Sequence, residues 1–270
     1  MNRTLVFVLL TVSFCCCKGN GQVDSVQNDG IANNSVVENG TMVDSLPSGV
    51  RRLLCAYPDQ VREYRNGFLI MAKGDSVEYD DGIQKDFITM LDNSDPEDMF
   101  ATPYRKELAR PQYLSDSGRS RCERLFKSMY GSSEAEVRSN LVTIDWFGQR
   151  VLFSKINGCA DSLRKVAEDL IKNEELLPYM RQSSSFYWRS VRGAKRQSAH
   201  SYGIAIDICT AYSNYWLWSN PKASESDHIE YVNRIPMQIV DIFERHGFIW
   251  GGRWYHYDTM HFEFRPELMN

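Results

Sequence analysis

The sequence "SAHSYGIAID", residues 198–207, places His200 and Asp207 seven positions apart, with small and apolar residues between them. Residues 203–209 are typical of a β-strand, in which successive side chains point to opposite faces. The three isoleucines of "GIAIDI" then share one face, while Ala205 and Asp207 share the other. We therefore expect the Asp207 carboxylate to point away from the apolar face, close to the His200 imidazole just before the strand.

The sequence "MHFEF", residues 260–264, repeats this pattern. Its methionine and two phenylalanines share one face of a predicted strand, and His261 and Glu263 share the other. Asp258 precedes His261 by three residues. Two strands are thus predicted to present histidines and carboxylates together on their non-apolar faces.

Neutral imidazole and carboxylate groups are ligands that zinc prefers, and a catalytic zinc keeps three protein ligands and one open position. His200, Asp207 and His261 supply such a set. Asp258 can then serve as the general base that takes a proton from the attacking water. On these residues alone, the alternative stays open that either histidine is a hydrogen-bonded structural residue.

Together, "SAHSYGIAID" and "WGGRWYHYDTMHFEF" resemble the LAS group of zinc peptidases, in the branch of D-alanyl-D-alanine carboxypeptidases and L-alanyl-D-glutamate endopeptidases of peptidoglycan. The family pattern is Ser-x-His-x-x-Gly-x-Ala-x-Asp, followed by an acid three residues before a final histidine. The resemblance covers roughly residues 141–264. The motif positions are filled by Ser198, His200, Gly203, Ala205, Asp207, Asp258 and His261.

The resemblance implies that His200, Asp207 and His261 hold Zn²⁺ and that Asp258 is the base. It also implies an upstream arginine that steadies the substrate and the oxyanion. The sequence "FYWRS" places this arginine at Arg189, with Arg192 as the competitor for the role. Ser198 and Arg192 are the predicted substrate-binding residues, and the implied substrates are peptidoglycan stem peptides.

Two cleavage specificities and one non-catalytic role remain open. The aspartate at position 258 favours an L-alanyl-D-glutamate endopeptidase, because carboxypeptidases of the family often have glutamate there. The long region 51–140 resembles D-alanyl-D-alanine carboxypeptidase-like members, which is the function we expect. A different class of function, a non-catalytic cell-wall-binding module, is also an alternative. The complete set of motif residues argues against it.

The order of predicted elements indicates an α+β fold: a single domain in which a small antiparallel sheet carries the zinc site and helices flank it. Residues 50–270 form the predicted peptidase domain, with an N-terminal subregion at 50–140 and a zinc-binding core at 141–270. "LVTIDWFGQRVLF" predicts a hairpin. Apolar periodicity predicts helices over residues 121–130 and 161–173, and a third from Pro236 to Gly247. In the second of these, Ile171 is expected to face inward.

The N-terminus predicts export. Residues 5–14 form an apolar run that is too short to span a bilayer but typical of a signal peptide, which we place at residues 1–19. The cysteines at 15–17 offer a lipoprotein-type alternative, in which a lipid attaches the protein to the membrane. Residues 20–49 lack aromatic residues and predict a flexible linker. We therefore expect an exported protein of the periplasm or cell envelope.

Composition excludes other classes and allows disulfides. The net charge of −4 does not suggest a nucleic-acid binder, and we expect a monomer. Four cysteines follow the linker, and in an exported protein they predict at least one disulfide. These are Cys55, Cys122, Cys159 and Cys209.

Overall fold

Helices and short antiparallel sheets make up the computed structural model, which describes residues 46–191, 193–219 and 221–269. The strands are β1 (Val61–Arg65), β2 (Phe68–Met71), β3 (Ser76–Glu78), β4 (Leu141–Trp146), β5 (Gln149–Ser154), β6 (Ala205–Asp207), β7 (Phe248–Trp250) and β8 (His261–Phe264). The α-helices are α1 (Ser48–Ala56), α2 (Phe87–Asp92), α3 (Glu123–Tyr130), α4 (Glu134–Ser139), α5 (Cys159–Leu170), α6 (Trp216–Ser219) and α7 (Met237–Arg245).

The sheet that carries the motif residues has the strand order β6-β8-β7 and is antiparallel throughout. Asp207 of β6 lies directly opposite His261 of β8, and Ala205 lies opposite Glu263. Residues opposite each other in an antiparallel pair project from the same face, so the register brings the Asp207 and His261 side chains together. On the other face, the ring of Phe262 stacks on Phe243 of α7 with centroids 3.9 Å apart. The predicted division of faces is therefore confirmed.

The N-terminal subregion packs into the same hydrophobic core as the motif-bearing sheet. Tyr57, which follows α1, donates a buried hydrogen bond to Glu267 near the end of the chain. The Phe126 ring of α3 contacts Tyr202, two residues after His200, with centroids 5.7 Å apart. The described residues thus form one compact α+β domain, as predicted, because its two subregions share their buried side chains.

The predicted hairpin is confirmed as β4 and β5, which pair over their full lengths. The helices at 121–130, at 161–173 and after Pro236 are present as α3, α5 and α7, with bounds that shift by a few residues. Ile171 differs from its prediction, because α5 ends at Leu170 and the Ile171 side chain is 61% exposed. The strand predicted at 203–209 is also shorter, since regular pairing is limited to β6.

The N-terminal boundary of the domain lies earlier than predicted. Helix α1 begins at Ser48, and Gly49 and Val50 are already buried. Leu46 packs against the core as well, so residues 46–49 belong to the fold and not to the linker. The predicted signal peptide and the linker up to residue 45 lie outside the described residues. None of the helices in the described part of the chain has the length and hydrophobicity needed to cross a bilayer.

The four cysteines of the domain are free thiols, so the prediction of a disulfide among them is wrong for this structure. Cys55 is exposed on α1, whereas the other three are buried. Cys122 and Cys159 are part of the hydrophobic core, where a thiol packs as a small apolar side chain. Burial raises the pKa of the Cys122 thiol to about 11, which makes this group unreactive.

The backbone conformation and close packing at position 203 of the motif require a glycine. Its φ of +68° lies in the left-handed region, and an added Cβ would overlap the Leu141 side chain. This glycine lets the chain turn from the short 3-10 helix Ala199–Tyr202, which carries His200, into β6. The residue is therefore required for the relative placement of His200 and Asp207.

We expect Gly203→Ala to lower the free energy of unfolding by about 1–3 kcal/mol more than Gly148→Ala, because only the first adds a steric overlap to the backbone strain. Gly148 is the matched control, since its φ is +79° and nothing lies within 4 Å of an added Cβ. Denaturant titration of both variants measures the difference. Equal destabilisation of the two would contradict this reason for Gly203.

Candidate metal centre

Three side chains converge at the β6–β8 edge of the sheet. The His200 Nε2 atom lies 3.2 Å from His261 Nδ1 and 3.2 Å from Asp207 Oδ1. The His261 Nδ1 and Asp207 Oδ1 atoms are 3.0 Å apart. Tetrahedral zinc, with bonds of about 2.0–2.2 Å, needs ligand atoms roughly 3.3–3.5 Å apart. The donor types and their spacing therefore fit one zinc ion, and these atoms could hold it with little movement.

Hydrogen bonds on the far side of each imidazole fix which nitrogen faces this point. His200 Nδ1 lies 2.6 Å from the carbonyl oxygen of Ser185, so Nδ1 carries the proton and donates. His261 Nε2 lies 3.4 Å from the Glu263 carboxylate, which orients the second ring in the same way. His200 Nε2 and His261 Nδ1 are the nitrogens that then face Asp207, and a metal ion would replace any proton on them. Outer partners of this kind hold metal-binding histidines in one tautomer.

Glu263 belongs to a buried chain of alternating charges behind His261. Its carboxylate accepts hydrogen bonds from Arg121 at 3.1 Å and from Arg265 at 3.1 Å. Arg265 in turn donates to Glu267 at 2.5 Å, and Glu263, Arg265 and Glu267 are fully buried. Burial alone would raise the pKa of Glu263, but the two arginines and His261 lower it to about 2. Glu263 is therefore an anion that supports the His261 ring.

The charges of the cluster shift its pKa values strongly. Burial alone would lower the pKa of His261, but its hydrogen bonds to Asp207 and Glu263 raise it to about 10. Burial would raise the pKa of Asp207, yet the two histidines hold it well below its usual range. A site with this much negative charge favours a cation, so a metal ion and protons compete for the same atoms.

Asp258 faces the same cleft from the turn that leads into β8. Its backbone N–H donates to the Gly251 carbonyl at 3.0 Å, and its carbonyl accepts from the His261 N–H at 3.2 Å. Its Oδ1 atom is buried and has no hydrogen-bond partner in the described part of the chain. Burial and the nearby Asp207 charge raise the pKa of Asp258 to about 7, near the value that suits a group exchanging protons at neutral pH.

The cluster opens into a cleft of about 400 Å³, a size typical of ligand sites. Ser198 and Arg189 line it together with the three converging residues and Asp258. Arg189 is exposed, and among the described residues its side chain bonds to the Ser190 carbonyl, at 3.4 Å. Arg192 lies outside the described residues. Aromatic and cationic side chains complete the wall: Arg119, Arg121, Arg196, Tyr215, Trp216, Trp218, Trp254 and His256.

A second group of potential ligands borders the cleft, but a cation of the chain fills it. Asp116, Glu225 and His256 bring their side-chain atoms close together. The Arg119 guanidinium lies between the two acids, 2.6 Å from Asp116 and 2.9 Å from Glu225. Two further acidic groups near α2 share Asp95, and the Lys85 ammonium contacts three of their carboxylates, those of Asp81, Asp95 and Asp98. In these groups a basic side chain of the protein already pairs with the carboxylates, in contrast to the cluster of His200, Asp207 and His261.

The comparison with protein-family models gives one match. Residues 192–264 match the model described as D-alanyl-D-alanine carboxypeptidase. The match confirms the predicted family resemblance. The matched segment contains the three converging residues and Asp258, and it supports a peptidase function. The search of curated proteins found no match, and the search of solved structures found none either.

The sequence predicted the converging residues but not what holds them. Arg121 lies 142 positions before Glu263, and no local pattern links the two. The Ser185 carbonyl that orients His200 is a backbone group, which residue types do not reveal. Only Glu263 carried a signal, because it shares a strand face with His261 two positions away.

Proposed function

We propose that the protein is a zinc peptidase that cleaves peptidoglycan stem peptides. The observation that carries the proposal is the convergence of His200 Nε2, Asp207 Oδ1 and His261 Nδ1 within 3.2 Å of one another, beside the buried carboxylate of Asp258. The family match is to peptidases of this substrate class. His200, Asp207 and His261 are the proposed ligands.

Bound zinc would polarise the peptide carbonyl and bring the pKa of water near neutrality. Asp258 would take the proton of the attacking water and later give it to the leaving amine. Its buried, unpaired Oδ1 supports this role, because the atom has no hydrogen-bond partner in the described part of the chain and can accept a proton. Ser198 would contact the substrate from the wall of the cleft.

We propose that Arg189 stabilises the negative charge that develops on the substrate during cleavage. Among the cleft arginines, Arg119, Arg121 and Arg196 each pair with a carboxylate. Arg189 has no carboxylate partner in the described part of the chain, so its charge is available to the substrate. Arg192, the competitor for this role, remains a second proposal.

Release of the terminal residue from D-Ala-D-Ala is the cleavage we favour, in line with the family description. The alternative is an L-alanyl-D-glutamate endopeptidase, which the aspartate at position 258 supports. A non-catalytic wall-binding module is the third candidate function. The complete set of three proposed ligands beside the unpaired Asp258 carboxylate argues against it. Peptidoglycan lies outside the cytoplasmic membrane, so we propose an exported protein of the periplasm or cell envelope, with attachment through an N-terminal lipid as an alternative.

Digestion of defined muropeptides by the zinc-loaded protein, followed by mass spectrometry, tests the proposal. A carboxypeptidase releases one D-alanine per pentapeptide, whereas the endopeptidase separates L-alanine from D-glutamate. Chelator-treated protein is the control. Intact muropeptides after prolonged digestion, together with specific retention of the protein on peptidoglycan, would favour the binding module instead.

Glu263→Gln is expected to weaken zinc binding about tenfold or more, because the variant loses the charge that makes His261 a stronger ligand. Competition with a chelator measures the affinity. Glu244→Gln is the matched control: Glu244 is a buried acid paired with Arg253 and Tyr104. Unchanged zinc affinity in a folded Glu263→Gln protein would contradict the supporting role of Glu263.

A further inference from the structure

The turn that carries Asp258 depends on contacts from elsewhere in the chain. Residues 254–260 lie between the short 3-10 helix Gly251–Arg253 and strand β8, and they contain no helix or strand of their own. The Asp258 Oδ1 atom has no hydrogen-bond partner in the described part of the chain. Its position is therefore set by the backbone of this turn, and a shift of that backbone would move it relative to the proposed zinc ligands.

The first half of the turn is held by a segment of the N-terminal subregion. The Tyr255 N–H donates to the Ser115 carbonyl at 3.1 Å, and the next N–H, that of His256, donates to Asp116 Oδ1 at 3.0 Å. Asp116 Oδ2 lies 2.5 Å from His256 Nδ1. Both side chains are buried. One carboxylate thus holds the backbone and the ring of the residue two positions before Asp258.

The His256 ring is held by other elements as well. Its Nε2 atom lies 2.9 Å from the carbonyl oxygen of Glu225. The ring packs against Trp216, with centroids 4.7 Å apart, and against Phe87, with centroids 5.7 Å apart. His256 is therefore a fixed point in an otherwise irregular segment.

Asp116 is itself fixed and charged. The Arg119 guanidinium donates to Asp116 Oδ2 at 2.6 Å and, through both terminal nitrogens, to Glu225 at 2.9 Å. Burial alone would raise the pKa of Asp116, but Arg119 and His256 hold it below its usual value. The carboxylate therefore stands in place before any substrate binds, which is the condition for holding a reacting group in a productive geometry.

The second half of the turn is held by backbone groups at the start of α6. The Trp216 N–H donates to the Tyr257 carbonyl at 3.0 Å, and the Thr259 N–H donates to the Asn214 carbonyl at 2.9 Å. Asp258 lies between these contacts and the carboxylate described above. Side-chain substitution leaves the backbone contacts available, so the aspartate is the part of this support that a single substitution can remove.

We propose that Asp116 is a positioning residue for Asp258: its carboxylate fixes His256, and His256 fixes the backbone that aims the Asp258 carboxylate into the cleft. The inference rests on the proposed peptidase function and adds to it a residue outside the segment 192–264 that matches the family model. Asp116 is buried and is not one of the side chains that line the cleft. It therefore acts through the turn and not on the substrate.

Asp116→Ala is expected to lower kcat about tenfold to a hundredfold, the scale on which a misplaced reacting group costs turnover. KM should stay within about threefold and zinc content should not change, because the cleft wall and the three proposed ligands are left intact. Asp116→Asn should lose about threefold to tenfold in kcat, since its amide oxygen can still accept the His256 N–H. This second variant decides the question if the alanine variant does not fold.

Glu225→Gln is the matched control for Asp116→Asn. Each substitution removes one negative charge that pairs with Arg119, but the Glu225 side chain does not contact the His256 N–H. Glu225→Gln should keep kcat within about twofold of the wild type. Equal losses in the two variants would overturn the positioning role, because they would show that the network charge alone matters.

Combination with Asp258→Asn tests whether Asp116 acts through the base. When the base is already absent, Asp116→Ala should slow the remaining turnover by less than about threefold, because residues that act as a unit are not additive. Losses that multiply in the combined variant would overturn the proposal, since an independent structural effect behaves in that way.

Hydrogen exchange separates failure of the positioning role from failure of the peptidase function, because it needs no activity. In zinc-loaded Asp116→Ala, the amides of residues 255–260 should exchange about tenfold faster or more, while those of the β4–β5 hairpin and of Glu225→Gln keep the wild-type rate. If the wild type cleaves no muropeptide, the peptidase function fails, and faster exchange confined to the turn would still support Asp116 as its hold. Unchanged exchange, or near-normal kcat in folded Asp116→Ala of an active enzyme, would overturn the inference.

Discussion

Replacing His261 with alanine is expected to abolish zinc binding and peptidase activity together. His261 Nδ1 lies within 3.2 Å of both other proposed ligand atoms. Without it, the site keeps one imidazole and one carboxylate, too few to hold zinc as a catalytic site does. The variant also removes the ring that Glu263 supports. Elemental analysis of the purified protein and initial rates on a muropeptide measure the two losses.

His246→Ala is the matched control for this substitution. His246 follows the end of α7 and contacts Asp169 at 2.9 Å, away from the cleft residues. This variant should keep its zinc and its activity. Full zinc occupancy in a folded His261→Ala protein would show that the ligand assignment is wrong.

Asp258→Asn is expected to keep zinc and fold while turnover falls about a hundredfold or more, the scale that general acid–base groups supply. The amide has the shape of the carboxylate but cannot accept the proton. Folding should change little, because the backbone of Asp258 makes the contacts with Gly251 and His261 that shape the turn. Zinc content and initial rates are again the measurements.

The pattern across variants distinguishes a base from a ligand. Asp258→Glu should retain partial activity if the cleft accommodates one more methylene, whereas His261→Ala loses metal and activity together. Near-normal turnover in zinc-loaded Asp258→Asn would eliminate Asp258 as the base. Glu263 would then be the next carboxylate from the sequence, but its fully buried side chain is held by Arg121 and Arg265. It therefore supports His261 and is poorly placed to reach water.

The sequence correctly predicted which way side chains point within a strand, because that direction depends only on alternation along the strand. Alternation in "GIAIDI" and "MHFEF" predicted that Asp207 and His261 face away from the core, and the β6–β8 register pairs them directly. Local signals were weaker at element ends. The prediction that Ile171 faces inward was wrong, because apolar periodicity does not show that α5 ends at Leu170, one residue before it.

Contacts between distant segments could not be predicted. Arg121 reaches Glu263, and Tyr57 reaches Glu267, only because α1 and α3 pack beside the motif-bearing sheet. The cysteines show the same limit: export made a disulfide plausible, but Cys122 and Cys159 pack in the core as free thiols. Residue types set the chemistry that a group can offer, and tertiary packing decides which partner it meets.

The position of bound zinc tests the central claim most directly. Anomalous diffraction at the zinc edge, recorded from crystals of the zinc-loaded protein, locates the ion without reference to activity. We expect a peak about 2.0–2.2 Å from His200 Nε2, Asp207 Oδ1 and His261 Nδ1. A zinc peak elsewhere, such as between Asp116, Glu225 and His256, with none at these three residues, would contradict the account.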